Sequence, residues 1–435
     1  MPISGAMSAQ GATPVRAQGL SKTDAAAIRK SPMVKNFAAD KAQYIVIESM
    51  AARVMLGSRL GFRPFNPNLQ QGNGWRVLEL TSTEVAALRA GGVGVYPNKK
   101  VDVGPPPEAT ASLEAPRTSL FRDVHQATAL QAKEAGWEGE GVTVTIIDTG
   151  IGAHDSLMKP AKFDDVKTAQ PEDPASDGHG HGTHCSGSAT ARGDLAAGGI
   201  RGMAPKATLQ GTKVLDDRGS GTLADVMKGI ERAIEWAKTH DGPAVCSMSL
   251  GARASGDPDA LPMNKLINDA IKNHGIFFAI AAGNSGPGVA ESDPGRAKLA
   301  TTVGATDHKG TTEEGDDTIA NFSSGYSSAN KPSVSADGVN QVSTLPGNKE
   351  GKMSGTSMAT PVTAGAAACL LGKAWELFKA GKFKVDPREL VKSGEFEKVL
   401  RDSARDNPSV PANREGAGDI RLEAAAKLLV ERFGK

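Results

Sequence analysis

The rhythm of apolar and polar positions changes part-way along the chain. Residues 44–48 form a short apolar run that predicts a strand, and residues 75–80 alternate in part and predict a second. Thr81 to Glu84 has the spacing of a helix start, which Val85, Leu88 and the neighbouring alanines continue. Gly91 and Gly92 end that helix, and residues 93–96 look like another strand. The pattern predicts a small α+β unit over residues 41–103, behind a leader of residues 1–40. Residues 104–119 begin with Gly104, Pro105, Pro106 and Pro107 and have the composition of an exposed linker.

From residue 120 to 435 the chain alternates buried strands with amphipathic helices, the pattern of a parallel α/β sheet. Strands are expected at 142–147, 207–215, 244–250, 276–281 and 299–303. A helix over 223–238 carries one apolar face of Val226, Ile230, Ala233, Ile234 and Ala237, and another is expected over 263–273. An Ala-rich segment follows Pro361. From Lys373 onward the chain is rich in Lys and Glu at helical spacing, which predicts solvated charged faces. No internal repeat is visible.

Composition narrows the classes of function. The chain has 435 residues, with 50 Lys plus Arg against 49 Asp plus Glu, a net charge of +1. That balance gives no electrostatic reason to expect nucleic acid or an anionic membrane as partner. No apolar run approaches a membrane span, and the first thirty residues carry no apolar signal core. Three cysteines, Cys185, Cys246 and Cys369, allow at most one disulfide.

Four Gly-flanked turns carry chemistry. Asp148 ends an apolar strand and is followed by Thr149 and Gly150, at the sheet edge where open α/β folds build sites. His179, His181 and His184 lie at i, i+2 and i+5. No second ligand cluster follows, and Gly180 and Gly182 suit a histidine fixed at a helix start, so metal ligation is not expected. Asn284 follows Ala281, Ala282 and Gly283 at another strand end and suits a hydrogen-bond donor aimed into a cleft. Gly355 and Thr356 deliver Ser357 to a helix N-terminus, where unpaired N–H groups favour developing negative charge. Taken singly, each is an ordinary turn residue or cap. Together they supply an orienter, a base, an oxyanion donor and a nucleophile for acyl transfer.

Their order along the chain is Asp148, His181, Ser357, which is the order of subtilisin and differs from chymotrypsin and the α/β-hydrolases. No Gly-x-Ser-x-Gly elbow surrounds Ser357. Over roughly residues 120–430 the chain resembles the subtilisin-like serine proteases (subtilases) at four separate motifs. The resemblance implies an α/β subtilisin-like fold, with a mostly parallel central sheet and helices on both faces, preceded by a small α+β prodomain. It implies a serine endopeptidase whose Ser357 attacks the scissile carbonyl, with His181 as base, Asp148 as orienter, and Asn284 with the Ser357 N–H receiving the oxyanion. Ser249, Leu250 and Gly251, with Ala281, Ala282 and Gly283, match the family's substrate-binding edges. Residues 41–103 are similar to its inhibitory prodomain, which makes a self-processing zymogen the expectation.

Cys185 resembles the thiol beside the histidine in the proteinase K branch, and its plain reading is a small buried hydrophobe. No cofactor is expected for the chemistry. Subtilases often bind structural calcium, but residues 192–199 offer only one carboxylate, and the acidic turn 313–317 reads as solvated. Polypeptides and the chain's own N-terminal unit are the expected partners, and a monomer is expected. Secretion is commoner in the family, with the cytoplasm as the alternative. A peptide ligase of the same fold and a prodomain-inhibited pseudo-protease are the rival functions. An acid at Asp293, near the pocket for the residue before the cleaved bond, would favour Arg or Lys there. Its turn-like setting before Pro294 leads instead to an expected preference for neutral side chains.

Overall fold

The computed structural model describes residues 41–48, 71–103, 120–168, 176–288, 291–327 and 330–435. The expected leader and linker lie outside these residues, as does most of the stretch between the first two strands.

The N-terminal unit is an antiparallel sheet of β1 (Ala42–Ile47), β2 (Gln71–Gly72), β3 (Trp75–Leu80) and β4 (Val95–Pro97), in the order β2-β3-β1-β4, with helix α1 (Ser82–Ala90). Thr81 closes a capping box with Glu84 at the start of α1. Alternation along the strands divides the unit's apolar residues between two cores. Val46 and Leu80 pack with Val85 and Leu88 of α1, whereas Ile45, Trp75 and Val77 join the main core of the molecule. Trp75 Nε1 donates to Glu231 Oε1 at 2.9 Å, which fastens the unit to the next domain. A further strand, β5 (Lys100–Asp102), leaves the unit altogether.

Beyond residue 120 come the short helices α2 (Leu120–Val124) and α3 (Ala127–Lys133), and then the large sheet. In chain order its elements are β6 (Thr143–Asp148), β7 (Lys162–Asp165), α4 (His181–Thr190), β8 (Thr208–Lys213), the short β9 (Ser220–Thr222), α5 (Leu223–Lys238), β10 (Ala244–Met248), α6 (Pro262–His274), β11 (Ile276–Ala281), β12 (Thr301–Asp307), β13 (Thr318–Ile319) and β14 (Val334–Asp337). The strand order is β13-β12-β11-β10-β6-β8-β7, with β14 also on β12. All pairings are parallel except β12 with β13. β9 lies off this sheet.

A hairpin of β15 (Gln341–Leu345) and β16 (Lys349–Met353) leads to the long helix α7 (Thr356–Lys379), followed by α8 (Pro387–Ser393), α9 (Glu395–Asp402) and α10 (Leu422–Phe433). Neighbouring residues of β6 identify two helix layers. Gly182 of α4 packs on Asp148, while Gly229 of α5 packs near Ile147. Successive strand side chains face opposite ways, so α4 and α5 cover opposite faces of the sheet. The core runs on into the tail through Leu390, Phe396, Val399 and Leu429, whose helices keep most of their charges outward. Lys373 departs from the expected solvated face. It is 8% exposed, with Nζ bonded to the Ala135 carbonyl and paired with Glu134.

Candidate active site

Asp148 is the last residue of β6 and His181 the first of α4, two elements that meet at the carboxyl end of the sheet. The imidazole Nδ1–H donates to Asp148 Oδ1 at 2.7 Å, and both side chains are 1% exposed. Asp148 Oδ1 also accepts the Thr149 N–H at 2.7 Å. Burial alone would push the imidazolium down. The Asp148 carboxylate outweighs it and holds His181 well above its ordinary value of 6.5. Cys185, one helical turn on, brings Sγ to 3.9 Å from His181 Nδ1 and 3.5 Å from the Ser357 carbonyl oxygen. Burial raises that thiol, so it remains neutral, and Asp148 is the effective charge beside the imidazole.

Ser357 is the second residue of α7 and is 9% exposed. Its hydroxyl donates to the Ser249 carbonyl at 3.1 Å, while Ser249 Oγ donates to the Ser357 carbonyl at 2.8 Å. Among the described residues the hydroxyl makes no hydrogen bond to the imidazole. The common neighbour Cys185 ties the two groups to one place. Asn284 Oδ1 accepts both the N–H and the hydroxyl of Thr356, each at 2.9 Å. That fixes the amide orientation and leaves Nδ2 as the end available to donate. Thr356, given no role of its own in the sequence beyond the turn before Ser357, is thus the anchor of Asn284. The only prior signal for it was its place beside Ser357.

A cleft of about 910 Å³ runs over this corner, lined by Ser249, Leu250, Gly251, Ala281, Gly283, Asn284, Thr356 and Ser357. Asp102 and Val103 from the N-terminal unit line it as well. β5 pairs antiparallel with β9, Asp102 forms an antiparallel bridge to Gly251, and Val103 N donates to the Gly219 carbonyl at 3.2 Å. An extended segment of this same chain therefore lies between β9 and Gly251 and reaches the cleft through Asp102 and Val103. Of the expected edge residues, Ala282 alone is absent from the cleft wall; its carbonyl instead accepts the buried Tyr326 hydroxyl at 2.9 Å.

The family model for the subtilase family matches residues 139–418, which takes in all four motifs. The chain belongs to the subtilase family. It is similar to the serine protease AprX of Bacillus subtilis, with 38% identity over 279 residues, covering 59% of this chain and 61% of that protein. Subtilisin Savinase of Lederbergia lenta is 36% identical over 243 residues, 56% of this chain and 80% of Savinase. Cerevisin of Saccharomyces cerevisiae is 33% identical over 303 residues, 65% of this chain and 43% of cerevisin. The chain spans 61% and 53% of the first two curated relatives it matches.

Within this subtilase the remaining polar motifs resolve differently. His184 points away from His181, with Nε2 at 3.1 Å from the Gln341 carbonyl, and burial holds it down at about 4. His125, His308 and Asp419, none of them an expected site residue, bring one ligand-type atom each within 4.8 Å of one another. The set does not fit a metal. His125 Nε2 accepts the Asp337 N–H at 2.9 Å, so its proton sits on Nδ1 and points to the Ile420 carbonyl at 2.9 Å.

Three of the carboxylates weighed for calcium, Asp194, Asp317 and Glu314, have partners within the protein. Asp194 caps a single turn through the Ala196 N–H at 2.9 Å. In the acidic turn, Asp317 is not solvated as expected: it is 7% exposed and engaged by His308 and Arg405. Glu314 pairs with Arg421 at 2.8 Å. Asp293 is buried and gripped by Arg296, itself part of the cleft wall, through two 2.9 Å hydrogen bonds, so its charge is compensated. All three cysteines are buried and free.

Among the described residues no helix is long and apolar enough to cross a membrane.

Proposed function

We propose that the protein is a serine endopeptidase that cleaves polypeptides through an acyl-enzyme on Ser357. The observation that carries this reading is the cleft itself. Its wall carries Ser357 and Asn284 together with Asp102 and Val103, the end of an extended strand of this same chain. Added-strand binding of this kind is how an edge reads backbone regardless of sequence.

Ser357 Oγ attacks the scissile carbonyl carbon while His181 takes its proton, which a rotation of the hydroxyl away from Ser249 O permits. Asp148 keeps the proton of the neutral imidazole on Nδ1, leaving Nε2 as the base. The oxyanion is received by Asn284 Nδ2 and by the N–H of Ser357 at the helix start. His181 then protonates the leaving amine, and water repeats the sequence in reverse to free the acid. Side chains and backbone N–H groups suffice for these steps.

The same strand suggests a self-processing zymogen, with residues 41–103 as its inhibitor. The cut is expected either just before Pro105, Pro106 and Pro107, which fix backbone angles and remove donors, or downstream between residues 109 and 120. Tethering keeps the inhibitor at high effective concentration until a later cut. Intact mass of the purified wild type beside Ser357→Ala tests both claims. The wild type is expected as two associated fragments and the variant as one 435-residue chain. A whole wild type that still digests peptides overturns the zymogen. A whole wild type with no turnover supports a pseudo-protease, and products joined to an added amine support a ligase.

A further inference from the structure

We propose that Asp177, acting with Thr149, is a positioning residue that sets the alignment of the Asp148–His181 pair. The proposal rests on the reading of those two residues as orienter and base.

The argument begins with a question of backbone accounting. Helix α4 starts at His181 behind Gly180, a residue with no side chain to cap it. Its first N–H groups need acceptors from elsewhere. Asp177 Oδ1 accepts the N–H groups of His179 (3.1 Å) and Gly180 (2.8 Å), and Oδ2 accepts the Thr183 N–H (2.9 Å) and hydroxyl (2.6 Å). The Gly182 N–H goes to Thr149 Oγ1 at 2.9 Å, and the Thr149 hydroxyl donates to Asp177 Oδ1 at 2.9 Å. One carboxylate, 7% exposed, therefore takes five hydrogen bonds, four from the helix start and one from the turn after β6.

These bonds join the helix to the strand residue by residue. Asp148 meets His181 directly, Thr149 meets Gly182, and the Gly152 N–H donates to Thr183 Oγ1 at 2.8 Å. The two backbones are as close as backbones can be. A Cβ on Gly182 would lie 2.2 Å from the Gly150 carbonyl oxygen, and one on Gly150 would lie 1.8 Å from that of Ser176. Lys213, across from Asp148 on β8, closes the arrangement with its ammonium on the Thr149 carbonyl and on Asp217 Oδ1, which also accepts the Gly178 N–H.

Asp177 touches neither the nucleophile nor the cleft, so it acts through His181. Neutralising it replaces one acceptor by an N–H facing donors, and the helix start loses its fixed height against β6. An ordinary capping role would lower stability alone. A positioning role lowers turnover in protein that is still folded.

The test uses full-length protein as purified, a chromogenic peptide, and a fluorophosphonate that labels activated serines. Thr149→Val removes the bridging hydroxyl at nearly constant shape, and Thr149→Ser keeps it, so this pair decides the matter even where Asp177→Asn folds poorly. Thr149→Val and folded Asp177→Asn are expected to lose about 10–10² in kcat with little change in KM, and to label correspondingly slowly. Thr149→Ser is expected to stay close to wild type. Folded Val and Asn variants that label and turn over like wild type overturn the proposal, as does a Ser variant as slow as Val. Wild type that fails to label, or labels equally as Ser357→Ala, overturns the proposed function instead.

Discussion

Among the described residues two buried sites join histidine to carboxylate, and they engage their rings differently. At His181 a single carboxylate, Asp148, holds Nδ1, and Nε2 is the nitrogen proposed as the base. At His308 both nitrogens have acids. Nδ1 donates to Asp317 Oδ1 at 2.9 Å, and Nε2 lies 3.6 Å from Asp419 Oδ2. Burial opposes the charge on His308, but the two carboxylates prevail and raise it to about 10. His125, on the other side of Asp419, lacks that double flank, and burial brings it down to about 4. Three buried histidines thus differ in charge, decided by the balance of burial against the charges facing each ring. Asp148 prevails at His181 and two acids prevail at His308, whereas at His125 burial and the neighbouring His308 outweigh Asp419.

The comparison can be broken most strongly at the first site. Ser357→Ala and His181→Ala are each expected to lower kcat by about 10⁶, the scale known for subtilisin itself, with the double variant little worse because the groups act as a unit. Roughly additive losses in a peptide assay would remove these residues from their roles.

His308→Leu should do the opposite, leaving turnover nearly unchanged in folded protein while lowering stability by about 3–5 kcal/mol, since Asp317 and Asp419 lose their buried partner. Urea unfolding in a Ser357→Ala background, where no self-digestion intervenes, reads this directly. The pH dependence has a defined sign. A histidine raised in the fold from 6.5 to about 10 favours folding fully below pH 6.5 and loses that contribution as pH rises through 10. The difference between wild type and His308→Leu should therefore shrink above pH 6.5 and nearly vanish beyond 10. A constant difference would mean that His308 is neutral in the fold.

Asn284→Leu tests the oxyanion donor. Turnover should fall by about 10²–10³ with little change in KM, again the range seen in subtilisin. Unchanged turnover would place the donor elsewhere.

A smaller effect sharpens the electrostatic half of the comparison. Because Asp148 holds His181 above 6.5, the acid limb of kcat/KM should lie above pH 6.5. Asp148→Asn removes the charge while burial remains, so the residual activity should show that limb at lower pH. A limb that does not move would mean another group controls it.

The mildest expectation concerns selectivity. With Asp293 compensated by Arg296, cleavage of a denatured protein should fall mainly after neutral residues. A majority of cuts after Arg or Lys would reverse this.

Much of the architecture was legible wherever burial is continuous. The strand expected at 276–281 is Ile276–Ala281, and the helix expected at 223–238 is Leu223–Lys238. In these segments apolar period and caps agree with the final packing. The expected strand at 299–303 begins and ends later, at Thr301–Asp307, because pairing with β11 and β14 buries threonines and a glycine that carry no apolar signal. Lys162–Asp165, not among the expected strands, becomes an edge strand because β8 offers it a backbone ladder. Lys373 is expected as a solvated charge, but Glu134 and Ala135 in the turn after α3, more than two hundred positions away, enclose it.

By itself, then, the sequence determined the element types and the stock of reactive groups, since periodicity, capping and Gly-flanked turns are local properties. The tertiary structure decided the partnerships. It paired Asp148 with His181 and two acids with His308, hung the start of α4 on Asp177, and laid Asp102 and Val103 in the cleft. The physical reason is the range of the forces involved. Backbone preference acts over a few residues, whereas desolvation and hydrogen bonding depend on whatever distant segment the fold brings within about 3 Å.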